Sequence, residues 1–95
     1  MQGNETESEK RERLKKQLDE FHQWPSDFRF KFILPNLPES LEALKSGFGP
    51  DAKMIERLSK NGNYVSVTIE EHLPHADAVF DRYERAGAIP GIISL

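Results

Sequence analysis

The densest group of side chains able to hold a metal or move a proton is Glu70, Glu71, His72 and His75. A divalent ion normally needs three or four converging ligands. Leu73 and Pro74 separate the two histidines, and proline disfavours the helical turn that would set an i, i+3 pair side by side. Glu70 and Glu71 point to opposite faces if the chain is extended there. The group therefore reads as polar residues at a strand end and a helix entrance, and His22 stands alone. Asp77 and Asp81 share a helix face, as a carboxylate pair for acid–base chemistry would. Asp81 also lies four residues before Arg85, so surface ion pairing is the simpler account. No serine sits in a Gly-x-Ser-x-Gly elbow. Gly47-Phe48-Gly49-Pro50-Asp51-Ala52 fits a dinucleotide fingerprint by letters alone; that motif needs a strand before it and a helix after it, and here a helix ends where a strand begins. No catalytic, cofactor-binding or metal-ligating residue is assigned.

Composition agrees with that result. The chain has 95 residues, 37% hydrophobic and 31% charged, which suits one small domain with a modest core and leaves little room for an enclosed active site. Cysteine is absent, which removes thiol chemistry and fits a reducing cytoplasm. With 13 basic and 16 acidic side chains the formal charge is -3, so nucleic acid is a disfavoured partner unless the cations gather on one face. No apolar run approaches the roughly 18 residues of a membrane span, and no signal peptide is expected. The reading is a cytoplasmic protein without membrane contact.

Residues 1–24 are rich in charge of both signs, and Leu14, Leu18 and Phe21 recur at i, i+4 and i+7. They predict a charged N-terminal extension with a short helix that is partly solvated. Ser8 has Arg11 three positions later, so no capping box is expected there. Residues 25–95 form the domain. From Phe28, inner positions Phe28, Phe30, Phe32 and Leu34 alternate with Arg29, Lys31 and Ile33, the period of a half-buried strand. Pro38 opens a helix with Leu37, Leu41, Leu44 and Phe48 on one face, ended by Gly47, Gly49 and Pro50. Extended runs at Ala52–Ser59 and Tyr64–Glu71 flank the hairpin turn Lys60-Asn61-Gly62-Asn63. A helix from about His75 to Ala86 buries Ala76, Val79, Phe80 and Tyr83, with Gly87 placed to end it, and Gly91–Leu95 forms the last strand. This order predicts an α+β fold, the ferredoxin-like βαββαβ plait: a four-stranded antiparallel sheet with two helices on one face, strands one and three central.

The opposite face would then carry Arg29, Lys31, Ile33, Tyr64, Ser66 and Thr68. RNA-recognition domains share the order of elements and use that face. Phe32-Ile33-Leu34-Pro35-Asn36-Leu37 looks like their first-strand motif, and Lys60 to Val67 partly like their third-strand motif, with Tyr64 on a stacking position. Ile33 and Gly62 stand where two further rings would be expected, and each missing ring forfeits about 1–3 kcal/mol of stacking per base.

Three segments carry a family resemblance: Trp24-Pro25-Ser26-Asp27-Phe28, the run Ser59 to Thr68 across the hairpin, and Gly91-Ile92-Ile93-Ser94-Leu95. Through them residues 24–95 resemble the YbeD-like family of small bacterial proteins of unknown function. The resemblance implies a fold similar to the regulatory ACT domains and a ligand-sensing or protein-interaction role, and it supplies no catalytic residues. ACT domains commonly hold an amino acid against a glycine-containing loop after strand one; here that loop is Leu34-Pro35-Asn36-Leu37-Pro38, without glycine. The expectation is a non-enzymatic regulatory or protein-interaction module that pairs with itself or another protein through an edge strand or the open sheet face. Single-stranded RNA binding on the same face and amino-acid sensing are the alternatives.

Overall fold

The alternating apolar residues after Pro25 build the central strand β1 (Ser26–Pro35), and the computed structural model, which describes residues 5–95, arranges the other elements around it. Before it lies α1 (Glu7–Phe21); after it follow α2 (Pro38–Ser46), β2 (Lys53–Leu58), β3 (Tyr64–Leu73), α3 (Ala76–Gly87) and β4 (Ile93–Ser94). The strands form one antiparallel sheet in the order β2-β3-β1-β4, so β1 and β3 are central. The fold is α+β, a four-stranded antiparallel open sheet with three helices. No helix among the described residues is long and apolar enough to cross a membrane.

Period-two alternation sorts the sheet into two faces. Phe30, Phe32, Leu34, Val65, Val67 and Ile69 are buried on the inner side, where Leu44 of α2 and Val79 and Ala86 of α3 complete the core. Tyr83 and Phe48 set their rings edge-on against Phe30, at 5.1 and 5.2 Å between centroids. The hairpin joining β2 and β3 closes through Ser59, whose amide donates to the Tyr64 carbonyl at 2.9 Å, and Gly62 supplies the positive φ of 75° that the turn requires.

Several local expectations change. Thr6, not Ser8, caps α1: its hydroxyl accepts from the Glu9 amide, and Glu9 returns the bond to the Thr6 amide, a complete capping box. Of the 1–24 extension, residues 1–4 lie outside the described residues. The rest packs on the domain, with Leu18 and Trp24 against the core, while Phe21 is 82% exposed. Ion pairs from Arg11 to Glu84 (2.8 Å) and from Lys15 to Asp77 (3.5 Å) hold α1 to α3. Phe80 is therefore only half-buried, its ring lying under Arg11 at 4.9 Å. Leu37 caps α2 from an exposed position instead of joining its buried face. Gly87 is the last residue of α3, and a right-handed Ala88 follows it. Gly91 turns the chain at a φ of 77°, so β4 (Ile93–Ser94) starts at Ile93 and not at Gly91.

One inner-face position departs from the apolar pattern. Glu71 follows Val65, Val67 and Ile69 inward, and its side chain is only 8% exposed. Arg82 of α3 meets it with two bonds, Nε to Oε1 at 2.8 Å and Nη2 to Oε2 at 3.3 Å. The Gly49 amide, in the loop between α2 and β2, donates to the same Oε2 at 2.9 Å. A Cβ at position 49 would sit 2.5 Å from that oxygen, so the approach needs glycine. The bond donated to Glu71 also holds the Arg82 proton more tightly than in a free guanidinium.

Arg82→Ala leaves a buried carboxylate without its counter-ion and is expected to cost about 3 kcal/mol in urea unfolding, whereas Glu71→Leu with Arg82→Met removes both charges and recovers most of the loss. A loss below about 0.5 kcal/mol for Arg82→Ala would contradict this role. Burial also pushes the Tyr83 hydroxyl above its ordinary value of 10.0. The folded state then keeps a proton that the unfolded chain releases, so the stability is fully present below about pH 10 and declines as pH rises through the folded value. Unfolding midpoints at pH 8 and pH 11 should differ less for Tyr83→Phe than for the native chain.

Candidate functional site

The pairing registers place Arg29, Lys31, Ile33, Tyr64, Ser66 and Thr68 together on the outer face of the sheet. Tyr64 stands opposite Pro35, Ser66 opposite Ile33, Thr68 opposite Lys31, and Glu70 opposite Arg29. On the far side of β3, β2 adds Arg57 opposite Ser66, Ile55 opposite Thr68 and Lys53 opposite Glu70. β4 adds Ile93 opposite Ile33. Sequence reading alone left β2 without an assigned face and so missed Lys53, Ile55 and Arg57; the parity of the hairpin, counted from Tyr64 and Ser59 outward, was the signal that carries them.

Two properties of this face follow from its membership. Ile55 is 72% exposed, Ile93 54% and Tyr64 50%, so aliphatic and aromatic surface lies open among the charges. The charge is also one-sided: Arg29, Lys31, Lys53 and Arg57 stand against Asp27 and Glu70, on a chain whose formal charge is -3. The cations are gathered on one face, the condition under which an acidic chain still attracts an anionic partner. Arg29 touches Glu70 at 3.4 Å with its side chain 72% exposed, a contact weak enough to exchange for another carboxylate.

The polar group Glu70, Glu71, His72 and His75 is dispersed. Glu70 meets Arg29 on the outer face, Glu71 turns inward to Arg82, His72 lies 2.7 Å from Asp27, and His75 precedes α3 in an exposed position. Asp81 spans Arg82 and Arg85 at 2.9 and 3.0 Å, while Asp77 goes to Lys15, so those two carboxylates serve separate ion pairs. A cleft of about 550 Å³ between the start of α2 and the turn before β4 includes Leu37, Glu39, Ser40 and Arg85. Pro38 brings no amide there, and Glu39 already supplies negative charge to the first turn, so an amino-acid carboxylate meets little that favours it.

Comparison with protein-family models, with curated proteins and with solved structures finds no match. The outer face is therefore judged on its own chemistry. Its exposed apolar residues hold up no core, so Ile55→Ser and Tyr64→Ser are each expected to change unfolding stability by less than about 1 kcal/mol. A larger loss in urea titration would make these residues structural and remove them from the candidate surface.

Proposed function

We propose that this chain is a non-catalytic, cytoplasmic protein-interaction module whose outer sheet face receives an acidic, partly apolar surface of another protein. The combination of four cations with exposed Ile55 and Ile93 and half-buried Ile33 supports the reading most directly, because aliphatic side chains fit a protein surface better than a row of bases. The strand order β2-β3-β1-β4 supports reading the fold as a ferredoxin-like plait, the fold that the resemblance to YbeD-like proteins and, through them, to ACT domains implies. A regulatory role is the natural use of such a module: the partner carries the chemistry, and this chain covers or positions part of it.

The same cations favour one second reading, single-stranded RNA on the outer face. It has Tyr64 for stacking, but Ile33 and Gly62 stand where further rings would be needed for a base-stacking platform.

A photo-crosslinking residue placed at position 55 in cells that naturally make the protein separates the two. The interaction reading predicts one discrete protein adduct that is absent when the crosslinker is at Glu42 on α2, and absent again when Arg57→Glu accompanies position 55. An adduct that ribonuclease removes would replace this reading with the RNA one. No adduct specific to position 55 would contradict both.

A further inference from the structure

The outer face of the sheet is not level. Its central strand β3 presents Ser66 and Thr68, both half-buried, between two rows of longer side chains. On one side β1 contributes Arg29, Lys31 and Ile33, and on the other β2 contributes Lys53, Ile55 and Arg57. The two rows are two strand spacings apart, about 10 Å. A hollow of about 250 Å³ lies at one end of this trough, over Thr68 and Glu70, with Arg29, Lys53 and Ile55 around it. Tyr64, 50% exposed, stands at the other end.

What the floor offers limits what can lie on it. Between Val65 and Glu70, β3 is paired with β1 on one side and β2 on the other, so its backbone donors and acceptors are already engaged. An occupant that covers the trough must satisfy its own backbone, which an α-helix does and a single extended segment does not. The width suits a helix too, since one with its side chains is about 10–12 Å across. Charge then sets the chemistry. Among the described residues Lys31, Lys53 and Arg57 make no ion pair, and Arg29 has only its exposed contact with Glu70. The helix α1 of a second copy does not match these walls, because it carries as many bases as acids.

We propose that the trough over β3 seats an amphipathic α-helix of a partner protein, lying along the strand, with an aliphatic seam on Ser66 and Thr68 and acidic residues on both flanks. The inference rests on the interaction reading above and narrows it from an acidic, partly apolar surface to one kind of element. Cations on both walls call for carboxylates on both sides of the seam, the e and g positions of a heptad whose a and d positions are aliphatic. Ile33 and Ile55, on opposite walls beside Ser66 and Thr68, flank that seam. The helix adds a third layer, so that the sheet is covered on both faces.

The probe is a peptide of three heptads, each Glu-Ile-Ala-Ala-Leu-Glu-Lys, titrated into the full ¹⁵N-labelled chain. Its control repeats Ala-Ile-Glu-Glu-Leu-Ala-Lys, which keeps composition and seam but moves the carboxylates away from the flanks. The acidic-flank peptide should gain helical circular dichroism on binding, and the amide resonances of Ile55, Ser66 and Thr68 should move. The control should bind about fivefold more weakly, a difference of roughly 1 kcal/mol. Thr68→Tyr leaves all four cations in place and sets a ring on the floor; it should weaken the acidic-flank peptide about tenfold, roughly 1.4 kcal/mol, while the urea midpoint stays close to that of the native chain. No binding at millimolar peptide, binding without gain of helix, equal affinity for the two peptides, or full affinity in Thr68→Tyr would each overturn the proposal. If a discrete protein adduct still forms at position 55, any of those results removes the helix and leaves the interaction reading standing; without the adduct both fall.

Discussion

Glu71 is the constraint on which the arrangement of layers depends. It occupies an inner-face position in a strand whose other inner residues are valine, isoleucine and leucine, and it reaches no solvent of consequence. A carboxylate in that place is tolerable only when bonded on both oxygens. Arg82 and the Gly49 amide do this, and in doing so they connect three separate pieces of chain: the central strand, the last helix and the loop between α2 and β2. Apolar packing alone permits helices to slide on a sheet by small amounts. A bidentate guanidinium with a defined amide approach specifies one position.

With α2 and α3 fixed on the inner side, the outer side has no covering layer. Its alternate residues are selected by the same pleat that buries Phe30, Phe32, Val67 and Ile69, so the exposed cations and isoleucines are the other half of the core pattern. α1 extends the helical side without reaching the outer face. It rests on α3 through Arg11 and Lys15, and Leu18 and Trp24 pack towards Phe28 and the core, while an apolar groove remains between α1 and Phe28. The molecule thus has a closed side held by one ion-pair network and an open side formed by the outer face of the sheet.

Much of this was legible in the residues. The alternation from Phe28 to Leu34 and from Tyr64 to Ile69, the glycine turn at Gly62 and the apolar stripe of α3 each follow from local geometry, and they placed all six outer-face residues correctly. What escaped reading depended on longer-range packing. Glu71 lies in phase with the buried residues, but nothing adjacent in sequence reveals that Arg82, eleven positions on, would neutralise it. β2 is mostly exposed on both faces, so its hydrophobic pattern could not orient Ile55 or Arg57. The capping box at Thr6 and Glu9 lay two residues before the serine that seemed the natural helix start. The start of β4 at Ile93 followed the turn at Gly91, a backbone property with no periodic signal.

Central to the account is that the Glu71 contact with Arg82 and the Gly49 amide fixes the helices on the inner side of the sheet and leaves the outer side open. Residue-resolved amide hydrogen exchange of the intact chain reads this directly. The Gly49 amide, although it lies in a loop, should exchange slowly in the native chain, and Arg82→Ala should speed its exchange by about tenfold or more. A Gly49 amide that exchanges as fast as an exposed loop amide, or that is unmoved by Arg82→Ala, would contradict the account.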